Sequence, residues 1–260
     1  MNKLKKVIIP ASFIALSIAL YSCSKSSTED TTVTPSTGTA TTGVSITSVV
    51  KSKYMSAVTI STSDNSITLK SNGTPDHVSP YWGTGAALYE TPYTGQNLNP
   101  GKIATQNYSM TLPTNPTEAS TKEATVLGPI GMALNGVPIY NDREGGNVPV
   151  DSGVLSAFDR AGAHPGPSNT YHYHCTGDFT GNDNANLIGF LRDGFPIYAR
   201  KDADGTYPSN LDANGGHVGT TADFSTPIYH YHASNTAYLG SRFYLLKTGS
   251  YFGTKGTFTN

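Results

Sequence analysis

The stretch GMALNGVPIY at residues 131–140 returns as GFLRDGFPIY at residues 189–198, without a gap. In each copy an Asn-Gly or Asp-Gly pair separates two apolar arms. This pattern is the strongest short-range signal for a β-hairpin, and it predicts positive φ at both turn residues. We therefore predict two hairpins of the same kind. A motif that returns at a fixed distance also indicates a duplicated structural unit.

The repeat extends beyond the hairpins. The tetrapeptide YHYH begins at Tyr171 and again at Tyr229, forty residues after the start of each hairpin motif. The intervening segments FDRAGAHPG and LDANGGHVG share the pattern D-x-x-G-x-H-x-G. A unit of hairpin, loop and YHYH strand thus occurs twice, over about residues 131–174 and 189–232. We expect its two copies to lie around a pseudo-two-fold axis.

The composition favours an all-β fold. Short runs rich in Val, Ile, Thr and Tyr, such as SAVTIST and SITLKSNG, are interrupted by 27 glycines and 16 prolines. No long apolar pattern with the helical period of 3.6 residues is present. We predict one β-rich domain, sandwich-like or barrel-like, with little helix. TEASTKEA and SGVLSAFDRAG are the two segments where a short helix would fit.

The amino-terminal segment is typical of an export signal. A basic start is followed by an apolar run too short to span a membrane, and Ser22 precedes Cys23. The ending LYSC resembles a bacterial lipoprotein box. We predict a signal peptide over residues 1–22, lipidation of Cys23, a flexible Ser/Thr-rich tether over 23–43 and the folded domain over 44–260. Ordinary secretion and a retained anchor are the alternatives to a lipid anchor on the outer membrane or cell surface.

Charge and cysteine content exclude several classes of partner and bond. The net charge is −1, and only 13% of residues are charged. The chain has no basic cluster beyond the signal, which argues against nucleic acid and anionic membrane surfaces as partners. Membrane contact is therefore predicted only through the anchor. Lipidation of Cys23 would leave Cys175 alone, which excludes an internal disulfide.

Strand geometry separates the side chains of the first YHYH motif. Side chains alternate between faces, so His172 and His174 share one face, while Tyr171, Tyr173 and Cys175 share the other. Two imidazoles at this spacing can converge on one ion. Cys175 is then predicted to be a core side chain unless a bulge turns it.

Each repeat supplies three histidines at matching places in its pattern, and this regularity favours a shared chemical role over scattered packing. The predicted metal ligands are His164, His172 and His174 from the first repeat, His217, His230 and His232 from the second, and His77 from the separate motif TPDH. We predict that the two H-x-H pairs face each other and hold about one ion per chain. Nitrogen-rich ligation favours copper(II) or zinc and does not separate them.

Two aspartates precede the loop histidines by five residues. Asp159 and Asp212 are candidate hydrogen-bond partners of metal-bound imidazoles, and they are equally candidates for Asx turns. Asp76, beside His77, has the same two interpretations. Together with Asp193, these carboxylates are also candidate general acids or bases, although none lies in a pattern that demands catalysis.

Two acidic segments predict ordinary turns. KDADGTYPSNLD at residues 201–212 begins like a calcium-binding loop but lacks the later ligand spacing of such loops. GNDNAN at residues 181–186 is interpreted in the same way. Neither segment is therefore assigned a ligand.

The combined motifs resemble a known family. The YHYH strands, LDANGGHVG, IGFLRDGFPIYA, IGMALNGVPIYN and SNGTPDHVSPYWG closely resemble the YHYH-domain family of exported bacterial proteins, from about Asn72 to Phe252. The resemblance implies an exported domain that binds metal through its histidines, and it implies no reaction. Ala213 and Asn214 stand where the family often has a cysteine, and ASNTAYLGSRFYLLKTG lacks the family's usual proline and cysteine.

Three functions compete at this point. The predicted one is an exported, lipid-anchored protein that binds copper or zinc. The second is a metal-dependent hydrolase or oxidase in which three histidines leave a coordination position open. The third is a carbohydrate-contacting adhesion module that uses some of the 16 tyrosines. An acid or base near the histidines would favour the second function, and an exposed aromatic platform would favour the third.

Overall fold

The computed structural model describes residues 43–260. The predicted signal peptide, Cys23 and nearly all of the tether lie outside the described residues. None of the helices in the described part is long and apolar enough to span a membrane.

Short strands are the main regular secondary structure of the described chain. In chain order the elements are α1 (Thr47–Lys53), β1 (Thr59–Thr62), β2 (Ser66–Ser71), β3 (Tyr108–Pro113), β4 (Gly131–Ala133), β5 (Pro138–Ile139), β6 (Arg143–Glu144), β7 (Val148–Pro149), α2 (Ser152–Ala157), β8 (Ala163–Pro165), β9 (Tyr171–Tyr173), β10 (Cys175–Thr176), β11 (Leu187–Leu191), β12 (Pro196–Tyr198), β13 (Gly216–Gly219), β14 (Ile228–His232), β15 (Tyr244–Leu245) and β16 (Phe258–Thr259). Three short 3-10 helices lie at Pro80–Trp82, Pro167–Asn169 and Tyr238–Gly240. The all-β prediction is confirmed.

Two sheets enclose the main core. An eight-stranded sheet carries both repeats, and a four-stranded sheet has the order β1-β2-β3-β16. Leu69 and Met110 of the smaller sheet belong to the same buried cluster as Met132 and Phe190 of the larger one. Because both sheets are open, with two edge strands each, the architecture is sandwich-like and not a barrel.

The larger sheet shows the duplication as a mirrored strand order. The order is β13-β14-β12-β11-β4-β5-β9-β8, so the second repeat occupies one half and the first repeat the other. The halves meet at the antiparallel pair β4 and β11, where Met132 lies opposite Phe190. In each half the second hairpin strand pairs in parallel with the YHYH strand. This order agrees with the predicted pseudo-two-fold arrangement.

The mirrored order separates the two YHYH strands. Four strands lie between β9 and β14, and at about 4.8 Å per step the two strands are roughly 24 Å apart. No single ion can bridge that distance. The expectation that the two H-x-H pairs face each other is therefore wrong, because the pseudo-axis passes between β4 and β11 and carries the YHYH strands to opposite sides.

The hairpin prediction is confirmed, but the turn geometry differs from expectation. Gly136 and Gly194 have φ of +89° and +86°, whereas Asn135 and Asp193 are not at positive φ. Gly136 N–H donates to the Ala133 carbonyl, and Ala133 N–H donates to the Val137 carbonyl. These bonds define a three-residue loop that ends in a left-handed glycine, so only the glycine needs the unusual backbone conformation.

Helix content matches one of the two suggested segments. α2 lies in SGVLSAFDRAG, and Asp151 caps it by accepting a hydrogen bond from Val154 N–H at 2.9 Å. TEASTKEA is not helical, because Glu118 and Ala124 form isolated bridges to the strand-like segment near Gly253. The helix α1 was not predicted from the sequence, and it buries Val49 and Val50 against the core.

The hairpin glycine provides a stability test. We expect Gly136→Ala to lower the free energy of unfolding by about 3 kcal/mol, because the left-handed backbone disfavours a Cβ and that Cβ would overlap Ser71. Gly95→Ala is the matched control, since Gly95 has φ of +87° but no atom near its Cβ position. Its cost should be about 1 kcal/mol, from the backbone alone. Equal costs in urea unfolding would show that the packing at Ser71 is unimportant.

Candidate metal centres

Strand register brings the loop histidine to each H-x-H pair. His164 on β8 lies directly opposite His172 on β9, and His217 on β13 lies directly opposite His230 on β14. Directly opposed residues of an antiparallel pair project from the same face. The alignment holds although the two histidines are eight residues apart in the first repeat and thirteen in the second. Pairing, and not loop length, therefore positions the third histidine.

The first cluster consists of Glu144, His164, His172 and His174. Glu144 Oε1 lies 3.0 Å from His164 Nε2 and 2.9 Å from His174 Nε2. His174 Nε2 lies 2.9 Å from His172 Nε2 and 3.3 Å from His164 Nε2. Burial raises the pKa of Glu144, but the adjacent His164 and His174 imidazoles outweigh burial and bring the pKa below its ordinary value. The carboxylate is therefore ionised at neutral pH.

The second cluster consists of Asp202, His217, His230 and His232. Asp202 Oδ1 lies 3.1, 3.6 and 3.2 Å from the Nε2 atoms of His217, His230 and His232. His217 Nε2 lies 3.0 Å from His230 Nε2 and 3.3 Å from His232 Nε2. Each repeat thus builds its own group of three imidazoles and one carboxylate.

Backbone carbonyls orient the H-x-H imidazoles in both clusters. The four Nδ1 atoms lie 2.6–3.0 Å from carbonyl oxygens at matching positions of the two repeats. The pairs are His172 with Thr170, His174 with Asn141, His230 with Ile228, and His232 with Ala199. A carbonyl can only accept, so these Nδ1 atoms carry the proton. Their Nε2 atoms then present lone pairs to the cluster centre.

The loop histidines differ between the clusters. His217 Nδ1 lies 2.9 Å from Asn210 Oδ1, and this oxygen accepts a hydrogen bond from Nδ1–H as the backbone carbonyls do in the other imidazoles. His164 Nδ1 lies 3.0 Å from Asn99 Nδ2, a donor that also bonds the Pro165 carbonyl. His164 therefore carries its proton on Nε2 and donates it to Glu144. All three imidazoles of the second cluster, but only two of the first, present lone pairs.

Burial lowers the pKa of four of the six cluster imidazoles. It lowers the pKa of His172 well below its ordinary value, with further lowering from His174 and His164. It also lowers the pKa of His230 to about 4 and lowers the pKa of His164 and of His232. Because the neutral imidazole is the form that binds metal, His164, His172, His230 and His232 do not need to lose a proton near pH 7.

Both carboxylates of the clusters were missed by the sequence analysis. Glu144 lies thirteen residues after Gly131, and Asp202 lies thirteen residues after Gly189. An ungapped extension of the repeat past the PIY strands therefore aligns an acid with an acid. The repeat thus contains a signal for both acids, whereas the local sequence around Asp202 predicts only an ordinary turn.

The predicted supporting aspartates bind tyrosines and not imidazoles. Asp159 is fully buried and accepts bonds from Tyr171 and Ser79, both at 2.5 Å, and from Ala161 N–H. Asp212 accepts a bond from Tyr229 at 2.9 Å and an Asx-turn bond from its own loop. The Asx-turn interpretation of both residues therefore agrees with the structure. The two aspartates hold the tyrosine face of each YHYH strand.

The hairpin turns hold the second tyrosine of each motif. Asn135 donates to the Tyr173 hydroxyl at 2.9 Å, and the Tyr231 hydroxyl donates to Asp193 at 2.6 Å. Asp193 is fully buried and bonded to Tyr231. Among residues 43–260 it contacts no histidine of either cluster. The tyrosine face is thus anchored by the loop aspartate at one end and by the hairpin turn at the other.

His77 lies apart from both clusters. Its Nε2 accepts a bond from the Tyr173 hydroxyl at 2.8 Å, and its ring stacks on Phe179 at 4.6 Å. Asp76 accepts a bond from Asn135 at 2.8 Å and contacts no cluster histidine among the described residues. Both belong to the opposite face of β9.

Cys175 is a core side chain. It is free, fully buried and packed in a small apolar cluster with Phe158 and Phe243. His174 N–H and Cys175 N–H both donate to the Gly162 carbonyl at 3.1 Å, which is the pattern of a bulge. The bulge does not bring the thiol into the first cluster, and burial raises the thiol pKa.

The two clusters differ in access. A cavity of about 460 Å³ lies against Glu144 and His164 of the first cluster. Beside His230 and His232 of the second cluster, the space is too small to admit a water molecule. The first cluster therefore adjoins room for an external molecule, whereas the second meets solvent at its partly exposed Asp202 and His217.

Comparison with known proteins supports the family resemblance for part of the chain. No curated protein and no solved structure matches it. A family model described as YHYH protein matches residues 109–210, which include the whole first cluster. The second loop histidine and the second YHYH strand lie beyond the matched residues. Over residues 109–210 the chain is therefore similar to the YHYH protein family.

Proposed function

We propose that this chain is an exported transition-metal-binding protein that holds two ions, one in each cluster. The carrying observation is that three imidazoles and one carboxylate converge twice, with all ligand atoms of a group within 4.8 Å of one another. His172 Nε2 and His174 Nε2, both unprotonated, face each other at 2.9 Å. Two lone pairs at that distance repel each other, and a cation between them removes the repulsion.

The spacing of the donor atoms fits a transition metal. Metal–ligand bonds of 2.0–2.1 Å in a tetrahedral site place neighbouring ligand atoms about 3.3 Å apart. The donor atoms in direct contact are 2.9–3.6 Å apart, and all ligand atoms of a cluster lie within 4.8 Å of one another. Imidazole with one carboxylate suits zinc and copper better than magnesium or calcium, which prefer oxygen ligands. We therefore propose copper(II) or zinc as the ion.

Four protein ligands favour binding over catalysis at the second cluster. Structural zinc sites use four protein ligands, whereas catalytic sites keep one position for water or substrate. The second cluster supplies four ligands, and the recess beside His230 and His232 is too small to admit a water molecule. Its proposed role is to hold an ion and to stabilise the second repeat.

The proposed location is the cell envelope. The amino-terminal sequence has the order of an export signal and ends in a lipoprotein-like box at Cys23. The family resemblance also implies export. We propose that the domain is tethered by a lipid on Cys23 to the outer membrane or cell surface.

Metal stoichiometry tests the proposal. We expect about two copper or zinc ions per chain by elemental analysis after purification without chelators. His172→Ala should reduce this to about one by opening the first cluster, and His230→Ala, the matching change in the second repeat, should do the same. The double variant should contain none. His77→Gln is the control, because His77 is buried but belongs to neither cluster.

Three outcomes would contradict the proposal. Metal-free protein after growth in metal-supplemented medium would reject binding itself. One ion in the parent and none in either single variant would indicate a shared site. Two ions retained by the double variant would place the ions elsewhere.

A second function is supported at the first cluster by the adjacent cavity of about 460 Å³. A metal-dependent hydrolase or oxidase needs room for a substrate beside the ion, and a bound ion would supply Lewis acidity there. Glu144 and His164 line the cavity and are the residues placed to hold or move a proton. Loss of a measured activity in His172→Ala but not in His230→Ala would support this function.

The adhesion alternative finds less support. The tyrosines of both YHYH motifs are buried, and Tyr207 is the only tyrosine in residues 43–260 that is classed as exposed. A carbohydrate platform usually needs several exposed aromatic rings. The described residues do not present such a platform.

A further inference from the structure

A second cavity lies on the tyrosine side of β9, away from the histidine face. Its volume is about 490 Å³, within the usual range for small-molecule sites. The walls are mainly apolar and include Met55, Leu88, Leu134, Phe179 and Leu187. This cavity shares no lining residue with either histidine cluster.

The polar floor of this cavity is a connected network with defined proton positions. His77 Nδ1 donates to the Val78 carbonyl at 3.0 Å, so its Nε2 accepts the bond from the Tyr173 hydroxyl at 2.8 Å. Asn135 donates to the Tyr173 hydroxyl at 2.9 Å and to Asp76 Oδ1 at 2.8 Å. Both ring nitrogens of His77 are therefore occupied by hydrogen bonds within the protein. The Asp76 carboxylate is the group left to receive a ligand.

The second repeat lacks this cavity because its own chain fills the space. Tyr231, the counterpart of Tyr173, accepts a bond from Phe252 N–H at 2.6 Å. Asp193, the counterpart of Asn135, accepts a bond from Gly253 N–H at 2.9 Å. The carboxyl-terminal segment therefore closes the second copy of the site. The duplicated framework does not require an open cavity, so the opening in the first repeat is a separate feature.

Charge indicates the class of ligand. Asp76 is the only Asp, Glu, Lys or Arg that lines the cavity, and it is an exposed residue. Among residues 43–260 it has no ion-pair partner. Arg160, which lies near Phe179, already pairs with Glu90 and Asp178. The cavity thus combines apolar walls with one unneutralised negative charge.

We propose that this cavity binds a small amine that has an apolar body and a protonated amino group. The amino group donates to Asp76, and the apolar body contacts Leu134, Phe179 and Leu187. A carboxylate beside apolar walls accepts a charge-assisted hydrogen bond from an ammonium group, which favours a protonated amine over neutral and anionic analogues. This site does not depend on the histidine clusters or on a bound ion.

The test uses three ligands of similar shape on the purified full-length protein. These are 2-phenylethylamine, 2-phenylethanol and 3-phenylpropionate, measured by titration calorimetry and by Trp82 fluorescence. Trp82 is the single tryptophan, and its indole donates to the His77 carbonyl at 3.0 Å, next to the floor of the cavity. We expect the amine to bind at least about tenfold more tightly than the alcohol, and the acid to bind weakest.

Asp76→Asn isolates the charge without removing the bond to Asn135. We expect about a tenfold weaker amine affinity and an unchanged alcohol affinity. Asp64→Asn is the matched control, because Asp64 is exposed and lies outside the cavity. Unchanged circular dichroism and metal content would show that each variant is folded.

Several results would overturn the proposal. These are no amine binding at millimolar concentration, equal affinity for all three ligands, or amine affinity unaffected by Asp76→Asn. The comparison of ligands on the parent protein decides the matter even if a variant does not fold. Because metal content is measured separately, failure of this site leaves the two-ion proposal intact.

Discussion

Removal of transition metals with a chelator is expected to lower the melting temperature by roughly 15–30 °C. A ligand that binds only the native state at a thousand times its Kd stabilises that state by about 4 kcal/mol, so two sites would contribute about 8 kcal/mol. For a domain of this size, each kcal/mol shifts Tm by about 2–4 °C. Differential scanning calorimetry before and after dialysis against a chelator measures the shift.

The variants assign this stability to the clusters. Addition of zinc or copper to the chelated protein should restore Tm, whereas magnesium should not, because the donor set is rich in nitrogen. The double variant His172→Ala/His230→Ala should show the same low Tm with and without chelator. His77→Gln should keep the full metal-dependent increase. If the chelator leaves the Tm of the parent protein unchanged, the proposal that the two ions stabilise the fold is wrong.

The second large effect concerns the tyrosine face. We expect Asp159→Ala to lower the free energy of unfolding by about 3–5 kcal/mol. The change strands the buried Tyr171 and Ser79 hydroxyls and Ala161 N–H without an acceptor. Asp159 itself is fully buried, so water cannot replace the lost acceptor. Urea unfolding of the parent and the variant measures the difference.

The duplication supplies the matched control. Asp212 holds Tyr229 in the second repeat, but it is exposed, so water can take over its bonds after Asp212→Ala. Its cost should be about 1 kcal/mol. Metal stoichiometry should stay the same in this variant, because Asp212 contacts no cluster histidine among residues 43–260. Equal costs for the two aspartates would show that burial of Asp159 does not govern its contribution.

The alternating motif divides one strand between two tasks. Histidines on one face converge with a carboxylate, while the tyrosines on the other face bond to an aspartate and a hairpin turn. The tyrosine bonds tie each YHYH strand to a loop aspartate and to a hairpin turn. They therefore hold the imidazoles in position from behind, which preorganises each cluster before an ion binds.

Several features of the site followed from local sequence. The period of two residues in a strand was sufficient to separate His172 and His174 from the tyrosines, and the structure confirms the separation. The NG and DG pairs predicted both hairpins. The turn type was missed, because a three-residue loop and a two-residue loop share the same Gly signal.

The acidic ligands were harder to find, since nothing local distinguishes Glu144 or Asp202 from a turn residue. Glu144 lies on the short strand β6, which follows β5, and Asp202 lies in the turn that follows β12. The strands β5 and β12 pair in parallel with β9 and β14, and that pairing brings the segment after each of them over the histidine face. The one indication in the sequence is that Glu144 and Asp202 occupy the same position in the two repeats.

By itself the sequence determined the duplication, the alternation of histidine and tyrosine, and the choice of nitrogen-rich ligands, because these depend on residue order and on the period of a strand. The tertiary structure decided that there are two clusters and not one. Pairing of β4 with β11 places the repeats back to back, and the resulting distance between the YHYH strands depends on long-range strand order. Such order arises from pairing between distant segments, which no local pattern specifies.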